Sequence, residues 1–235
     1  MRRIIAVFST AALFACSAQP NAADNTPSTA DATAAVRDSA GGRTNAVARN
    51  IVFLGTSLTA GYGVGPDVAF PAVIQHFIDS VGVPYRVTNA GISGETSAGG
   101  LRRIDWLLQT PVDVLVLELG ANDGLRGLNT DSLQSNLDAI LQRTRTKYPD
   151  AAIVIAGMEA PPNLGVAYTT RFRRVYRTLA DRYHATLIPF FLNGVAGMAR
   201  LNQEDGIHPN AEGHRMVADS MWTVLGPLLT ARFLP

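Results

Sequence analysis

Short apolar runs alternate with amphipathic stretches through most of this chain of 235 residues. Buried strands are typically short apolar runs bounded by turn residues. Five such runs occur, over Ile51–Leu54, Tyr85–Thr88, Val112–Leu117, Ile153–Ala156 and Thr186–Phe190. Strands that alternate with helices form parallel sheets covered on both faces, and right-handed crossovers leave few topologies. The pattern predicts an α/β protein, a three-layer α/β/α sandwich with a five-stranded parallel, flavodoxin-like sheet.

Three stretches between and after these runs have the apolar spacing of amphipathic helices. Their apolar positions are Leu133, Leu137, Ile140 and Leu141, then Phe172, Val175, Tyr176, Leu179 and Tyr183, and finally Val217, Met221, Val224 and Leu225. The sequence contains no internal repeat and no sign of a second domain.

Residues 1–16 are interpreted as a secretory signal peptide. A basic start at Met1–Arg3 precedes an apolar segment, Ile4–Ala15, which is too short to span a bilayer as a permanent helix. The segment ends at Cys16, the only cysteine in the sequence, in a position that resembles the lipobox of bacterial lipoproteins. We therefore predict export to the periplasm, with an outer-membrane tether through a lipidated Cys16. An ordinary signal peptide cleaved nearby is the alternative.

Residues 17–48 are rich in Ala, Ser, Thr, Asn and Asp and contain no aromatic residue, Leu or Ile. Such a composition buries too little apolar surface to offset the entropy of ordering, so a disordered tether is predicted. The folded domain is predicted over residues 49–235. The only cysteine of the sequence, Cys16, lies upstream of this domain, so the domain can form no internal disulfide. Because 20 basic residues nearly balance 19 acidic ones and are scattered, no nucleic-acid partner is expected.

Ser57 follows the first apolar run, within Gly55-Thr56-Ser57-Leu58-Thr59. Ligands bind in open α/β sheets at the carboxyl ends of the strands, and a serine there becomes a nucleophile when a neighbouring base takes its proton. Two other roles remain open at this point: Ser57 could cap the next helix, or the turn could cradle a phosphate. The segment lacks the Lys-Ser/Thr end of a P-loop and any dinucleotide fingerprint. It also lacks the Gly-x-Ser-x-Gly elbow of α/β-hydrolases.

His208 is the candidate base. Pro209 is a favoured first residue of a helix, so His208 is expected in the loop entering the last helix. Asp205 precedes it by three residues and can hydrogen-bond Nδ1, which fixes the tautomer. A plain turn shaped by Asp205 and Pro209 is the alternative. The other histidines are interpreted as structural or solvated: His76, His184 and His214.

Two further turns follow the second and third apolar runs, Asn89-Ala90-Gly91-Ile92-Ser93-Gly94 and Leu119-Gly120-Ala121-Asn122-Asp123-Gly124. In a parallel sheet both emerge at the edge that carries Ser57. Gly91 can offer a backbone N–H and Asn122 a side-chain N–H to an oxyanion. Both segments are also ordinary turn formers.

These four blocks, in this order, resemble the GDSL or SGNH hydrolase family, which is named for a Ser, a Gly, an Asn and a His. The resemblance assigns those roles to Ser57, Gly91, Asn122 and His208, with Asp205 as the triad acid. It covers the chain from about Ile51 to the C-terminal helix. Residues 91–100, 118–127 and 161–165 are similar to the periplasmic thioesterase/arylesterase/lysophospholipase branch.

One position departs from the family pattern, because Thr56 stands where the first block usually has an aspartate. Threonine brings no negative charge beside the nucleophile, although its hydroxyl can still bond the backbone. Since the triad acid comes from the last block, the resemblance still implies a complete set of catalytic residues.

The hypothesis is a serine esterase that hydrolyses acyl esters, thioesters or lysophospholipids through an acyl-enzyme on Ser57, with no metal or other cofactor. The loops Asp123–Thr130 and Met158–Val166 are predicted to border the acyl pocket through Leu125, Leu128, Leu164 and Val166. Arg126 is predicted to be solvated, with contact to a phosphate or carboxylate as the alternative. A carbohydrate O-acetylesterase acting on cell-wall glycan or xylan is one alternative. A non-catalytic binding lipoprotein, with Thr56 as a sign of lost activity, is the other.

Overall fold

The computed structural model describes residues 48–233. The predicted signal peptide, Cys16 and all but the last residue of the predicted tether lie outside the described residues. Within them, five strands form a parallel sheet. The strands are β1 (Arg49–Gly55), β2 (Tyr85–Gly91), β3 (Val114–Glu118), β4 (Ala152–Ala156) and β5 (Thr186–Ile188). Their spatial order is β2-β1-β3-β4-β5, which confirms the predicted five-stranded parallel sheet.

The helices are α1 (Ser57–Ala60), α2 (Phe70–Val81), α3 (Ser97–Leu107), α4 (Ala121–Leu125), α5 (Thr130–Lys147), α6 (Val166–Tyr183) and α7 (Ala211–Phe233). Helices α2 and α7 pack against each other, and α5 packs against both α3 and α6. These two groups cover the two faces of the sheet and complete the α/β/α sandwich.

The core is built from the apolar runs and helix faces that the sequence predicts. The central strands β1 and β3 bury nearly every side chain, as expected for a parallel sheet covered on both sides. Leu133, Leu137 and Ile140 of α5 and Phe172 of α6 are fully buried. Each such large apolar side chain contributes about 1.5–3 kcal/mol when it leaves water.

Several predicted boundaries differ from the structure, and β1 and β2 extend past their apolar runs to Gly55 and Gly91. The third strand begins at Val114 rather than at Val112, and the fifth ends at Ile188 because Pro189 has no N–H for the ladder. The last helix begins at Ala211, two residues after Pro209. Its first turn is capped by Asn210, whose Oδ1 accepts a hydrogen bond of 3.0 Å from the Gly213 N–H.

Between residues 48 and 233, no helix combines the length and the apolar character that a membrane crossing requires.

Candidate active site

The turn after β1 presents Ser57 at the carboxyl edge of the sheet. Thr56 is extended (φ −102°, ψ −152°), and its Oγ1 accepts from the Leu58 N–H, so Thr56 rather than Ser57 caps α1. Ser57 is the first residue of that helix. The alternative role considered for Ser57, capping the next helix, is performed by Thr56. The Ser57 hydroxyl is therefore free to contact another group.

That group is His208. Its Nε2 lies 2.9 Å from the Ser57 Oγ, across 151 residues of sequence. Its Nδ1 lies 2.6 Å from Oδ2 of Asp205. A hydroxyl, an imidazole and a carboxylate at these distances have the geometry of a nucleophile, its base and the acid that orients the base.

The Asp205 carboxylate is fixed by its own loop. Its Oδ1 accepts hydrogen bonds from the backbone N–H groups of Ile207, at 2.9 Å, and His208, at 3.0 Å. The His208 backbone N–H, the His208 ring and the Ile207 N–H together lower the pKa of Asp205 to about 2. The acid therefore stays ionised at every pH where an esterase normally works.

Tyr62 packs on the other side of the base, with its ring centroid 4.6 Å from that of His208. No sequence motif singles out this tyrosine. Its position beside glycines shortly after Ser57 gives no periodic signal, since it is half exposed and belongs to a turn.

A cavity of about 350 Å³ opens beside Ser57 and His208. It is bounded mainly by apolar side chains: Leu58, Tyr62, Leu125, Met158, Phe190, Leu192 and Ile207. Asn122 and Gly94 also face it. An apolar cavity with a few convergent polar groups is the usual form of a site for a small apolar molecule.

Asn122, the second residue of α4, is held in place from both sides. Its Nδ2 donates to the Glu95 carbonyl oxygen at 3.0 Å. The next residue, Asp123, is buried and accepts from the Ser97 N–H at 2.8 Å and from the Ser97 hydroxyl at 2.6 Å. These bonds join the turns after β2 and β3, and they bring Asn122 to the cavity as the sequence predicts.

Gly91 is not brought to this cavity. It is the last residue of β2, paired with Gly55, and its N–H donates to Asn89 Oδ1 at 3.0 Å. A Cβ atom here would lie 2.3 Å from the Ala60 backbone nitrogen, so this glycine allows β2 to pack closely against α1. The predicted role of Gly91 as an oxyanion donor does not fit that position.

Gly94 lies where Gly91 was expected. The Glu95 N–H donates to the Ile92 carbonyl oxygen at 3.2 Å, and Gly94 takes a φ of +77° within that turn, which favours glycine. Within the described part of the chain, neither the Gly94 nor the Ser57 N–H donates to a protein acceptor. The Ser93-Gly94 dipeptide is itself a turn signal in the sequence.

The chain matches the GDSL-like Lipase/Acylhydrolase family over residues 53–216. It belongs to that family.

Curated relatives agree with this assignment. The chain is 40% identical to the esterase TesA of Pseudomonas aeruginosa, over 78% of this chain and 91% of that protein. It is 38% identical to the thioesterase 1/protease 1/lysophospholipase L1 of Escherichia coli K12, over 78% of this chain and 86% of that protein. A crystal structure of TesA superimposes with a TM-score of 0.72 at 39% identity, covering 77% of this chain and 99% of that one. The chain is therefore a serine hydrolase of the GDSL type that acts on ester bonds.

The predicted pocket loops of this GDSL-family hydrolase contribute only part of the cavity. Leu125 and Met158 line it, whereas Leu128, Leu164 and Val166 do not. Another part of the lining comes from the segment after β5, from Phe190 to Gly197, which no sequence pattern predicts.

Arg126 is not merely solvated in this hydrolase. Its Nη2 donates to the Gly94 carbonyl oxygen at 3.0 Å, which fixes the turn that brings Gly94 to the cavity. A second arginine supports the same loop, because Arg103 forms an ion pair with Glu95 and donates to the Ala90 carbonyl oxygen at 2.7 Å.

His214 has the structural role that the sequence indicates. Its Nδ1 accepts a hydrogen bond of 3.2 Å from the Phe70 N–H, and the side chain is buried. Burial lowers the pKa of His214 to about 4, so it is neutral at pH 7. His184 caps the C-terminus of α6 with a left-handed backbone (φ 49°) and does not line the cavity.

Proposed function

We propose that Ser57, His208 and Asp205 form the catalytic triad of an esterase and thioesterase that prefers apolar acyl groups. The observation that carries the proposal is the pair of contacts of His208: 2.9 Å from Nε2 to the Ser57 Oγ and 2.6 Å from Nδ1 to Asp205. Ser57 and His208 both line an apolar cavity.

The first chemical step forms an acyl-enzyme. His208 Nε2 takes the hydroxyl proton as the Ser57 Oγ attacks the carbonyl carbon of the substrate. Asp205 stabilises the imidazolium that forms. The tetrahedral intermediate collapses as the carbon–oxygen or carbon–sulfur bond breaks, and His208 gives its proton to the leaving alcohol or thiol.

The negative charge on the carbonyl oxygen needs fixed hydrogen-bond donors. We assign this role to the Ser57 N–H, the Gly94 N–H and the Asn122 side chain. The support is that both backbone donors are unused by the described residues and that Gly94 and Asn122 face the cavity beside Ser57. Each such donor typically contributes about 3–4 kcal/mol to transition-state stabilisation.

A water molecule then hydrolyses the acyl-enzyme, with His208 again acting first as a base and then as an acid. His208 takes a proton from the water as its oxygen attacks the acyl carbon, and returns the proton to the Ser57 Oγ when the carbon–oxygen bond breaks. The products are a carboxylic acid and free enzyme.

The acyl group is the part of the substrate that the cavity recognises. Leu58, Met158 and Leu192 give it an apolar wall, and its volume of about 350 Å³ exceeds what an acetyl group would fill. This favours medium-chain, aromatic or lysophospholipid acyl groups over acetyl groups on a glycan.

The test is hydrolysis of p-nitrophenyl esters from acetate to decanoate, and of an octanoyl thioester, by wild type, Ser57→Ala and Ser80→Ala. Ser80 is an exposed serine at the end of α2 that does not line the cavity, and it serves as the matched control. Turnover should be highest on medium chains, vanish in Ser57→Ala and persist in Ser80→Ala. Undiminished turnover in Ser57→Ala would remove Ser57 from the mechanism.

Two other outcomes of the same assays would favour the two alternative functions. Turnover confined to acetate would assign the chain to carbohydrate O-acetylesterases. Inertness toward every ester and toward a phosphonate acylation probe would instead support a non-catalytic binding lipoprotein.

We further infer that residues 1–16 direct export, that residues 17–48 tether a domain spanning residues 49–235, and that Cys16 carries lipid in the periplasm. The support is the basic start, the short apolar segment and the position of Cys16. Labelled palmitate should enter the wild-type protein in bacterial cells but not Cys16→Ser. Absence of label in the wild-type protein would mean that Cys16 carries no lipid and that residues 1–16 act as an ordinary signal peptide.

A further inference from the structure

Glu118, the last residue of β3, lies fully buried beneath the Ser57 turn. Its carboxylate accepts hydrogen bonds from the Thr56 N–H at 2.8 Å and from the Thr56 hydroxyl at 3.0 Å. It also accepts from the Thr59 hydroxyl at 2.7 Å. The mechanism above gives this carboxyl group no role.

No cation compensates this carboxyl group, because none of the ion pairs between residues 48 and 233 includes Glu118. Burial raises the pKa of Glu118 to about 7, and the hydrogen bonds from Thr56 and Thr59 oppose that rise. A buried carboxyl group without a cation is costly, and an apolar side chain would serve packing alone better. The cost points to a role beyond filling the core.

The partners of Glu118 lie on both sides of Ser57 along the chain. Thr56 immediately precedes Ser57, and Thr59 lies within the same short helix α1. Gly55 allows the close approach, since a Cβ there would lie 2.5 Å from Glu118 Oε2 and 2.0 Å from Thr59 Oγ1. One side chain from a rigid central strand therefore holds the backbone and both flanking hydroxyls of the turn that carries Ser57.

We propose that Glu118 is a positioning residue for Ser57, acting through Thr56 and Thr59 to hold the serine hydroxyl 2.9 Å from His208 Nε2. The proposal rests on the proposed function, since it assumes that Ser57 is the nucleophile.

The proposal also gives Thr56 a defined task. Its hydroxyl oxygen accepts from the Leu58 N–H and its hydroxyl proton is available to Glu118. An ionised aspartate at position 56 could accept from Leu58 but could not donate to Glu118. Thr56 therefore couples the cap of α1 to the buried carboxylate, and is not a sign of lost activity.

The test compares kcat and KM on p-nitrophenyl butyrate for wild type, Glu118→Gln, Thr56→Val and Thr56→Ser. Glutamine places donors where the carboxylate accepts, and valine removes only the hydroxyl. Both substitutions should lower kcat about 10-fold or more, because small displacements of a reacting group are costly, and should leave KM within about 2-fold. Thr56→Ser keeps the donor and should restore kcat to within about 2-fold of wild type.

Thr144→Val is the matched control, since Thr144 is an equally buried threonine whose hydroxyl donates to the Ile140 carbonyl oxygen within α5. It should lower stability without lowering kcat. Wild-type kcat in both Thr56→Val and Glu118→Gln, or a loss in Thr56→Ser equal to that in Thr56→Val, would overturn the proposal while Ser57-dependent turnover stands. Should Glu118→Gln fail to fold, Thr56→Val and Thr56→Ser decide alone. Absence of Ser57-dependent turnover in wild type would overturn both proposals.

Discussion

The side-chain amide of Gln203 is hydrogen-bonded to the backbone of Tyr62, with 2.7 Å between Nε2 and the carbonyl oxygen. The same Nε2 donates to the Pro209 carbonyl oxygen at 3.0 Å, and the Gln203 backbone N–H donates to the His208 carbonyl oxygen at 2.8 Å. One residue thus joins the segment that follows Ser57 to the loop that carries His208.

This bridge predicts that Gln203→Met lowers kcat. Methionine has a similar length but no amide, so the two loops lose their shared donor while the volume is kept. Since misplacement of about 1 Å can cost 100-fold in rate, a loss of about 10-fold in kcat is expected from steady-state kinetics.

The control for Gln203 is Gln75→Met. Gln75 accepts from the Val87 N–H at 2.7 Å and donates to the Tyr85 carbonyl oxygen at 3.2 Å, so it also supports backbone, but along β2. An equal fall of kcat in both variants would attribute the effect to general loosening of the fold.

Asn122→Ala should lower kcat by about 10²–10³ with little effect on folding, because the oxyanion donor that we propose is lost while the turn keeps its other supports. Steady-state kinetics and thermal unfolding, run together, separate the two effects. Asn50→Ala is the control, since the Asn50 amide donates to the Pro111 carbonyl oxygen on an exposed part of the chain. A rate for Asn122→Ala within 3-fold of the Asn50→Ala rate would exclude Asn122 from the mechanism.

The sequence predicts the sheet and most of the site because those parts depend on local patterns. An apolar run that ends in Gly55 locates Ser57 at a strand end, and the short Asp205–His208 segment places an acid and a base in one loop. Helical spacing identifies the buried face of α5. Each of these inferences depends on residues that are close together along the chain.

Gly91 was predicted to lie at the cavity and does not, which shows the limit of inference from local patterns. Both Gly91 and Gly94 follow the second apolar run, and both are turn signals. The choice depends on how far β2 stays paired with β1, and that pairing extends to Gly91. The turn at the cavity is therefore three residues further on. The roles that we propose for Gln203 and Glu118 likewise depend on contacts between distant segments, which no local pattern encodes.

Asp205→Asn should keep the loop but lose most of the activity. Asp205 Oδ1 accepts the two backbone hydrogen bonds, and an asparagine Oδ1 can do the same. The amide nitrogen would then replace Oδ2 and direct donors at His208 Nδ1, which favours the wrong tautomer. By analogy with other triads, kcat should fall by about 10⁴.

Stopped-assay kinetics with concentrated enzyme would measure the residual rate of Asp205→Asn. Asp113→Asn provides the control. Asp113 Oδ2 accepts a hydrogen bond of 2.8 Å from the Asn50 N–H, and neither residue lines the cavity. A loss in Asp205→Asn of less than 10-fold would mean that His208 acts without this acid.

Two buried titratable groups should make the stability depend on pH in opposite directions. Burial lowers the pKa of His214 from 6.5 to about 4, so the unfolded state binds more protons between those values. His214 therefore destabilises the fold as pH falls from about 6.5 toward 4. Burial raises the pKa of Glu118 from 4.5 to about 7, so the native state binds more protons there and stability falls as pH rises through that range.

The two slopes oppose each other between about pH 4.5 and 6.5, and single substitutions should reveal them. His214→Asn keeps an acceptor for the Phe70 N–H but cannot titrate. Urea unfolding should therefore show its stability relative to wild type rising by up to about 3 kcal/mol as pH falls from 7 to 4, at 1.36 kcal/mol per pKa unit. Glu118→Gln should show the reverse, gaining on wild type as pH rises from 4.5 to 7. Curves for wild type and His214→Asn that run parallel across this range would mean that His214 titrates normally, and would contradict its burial as a neutral acceptor.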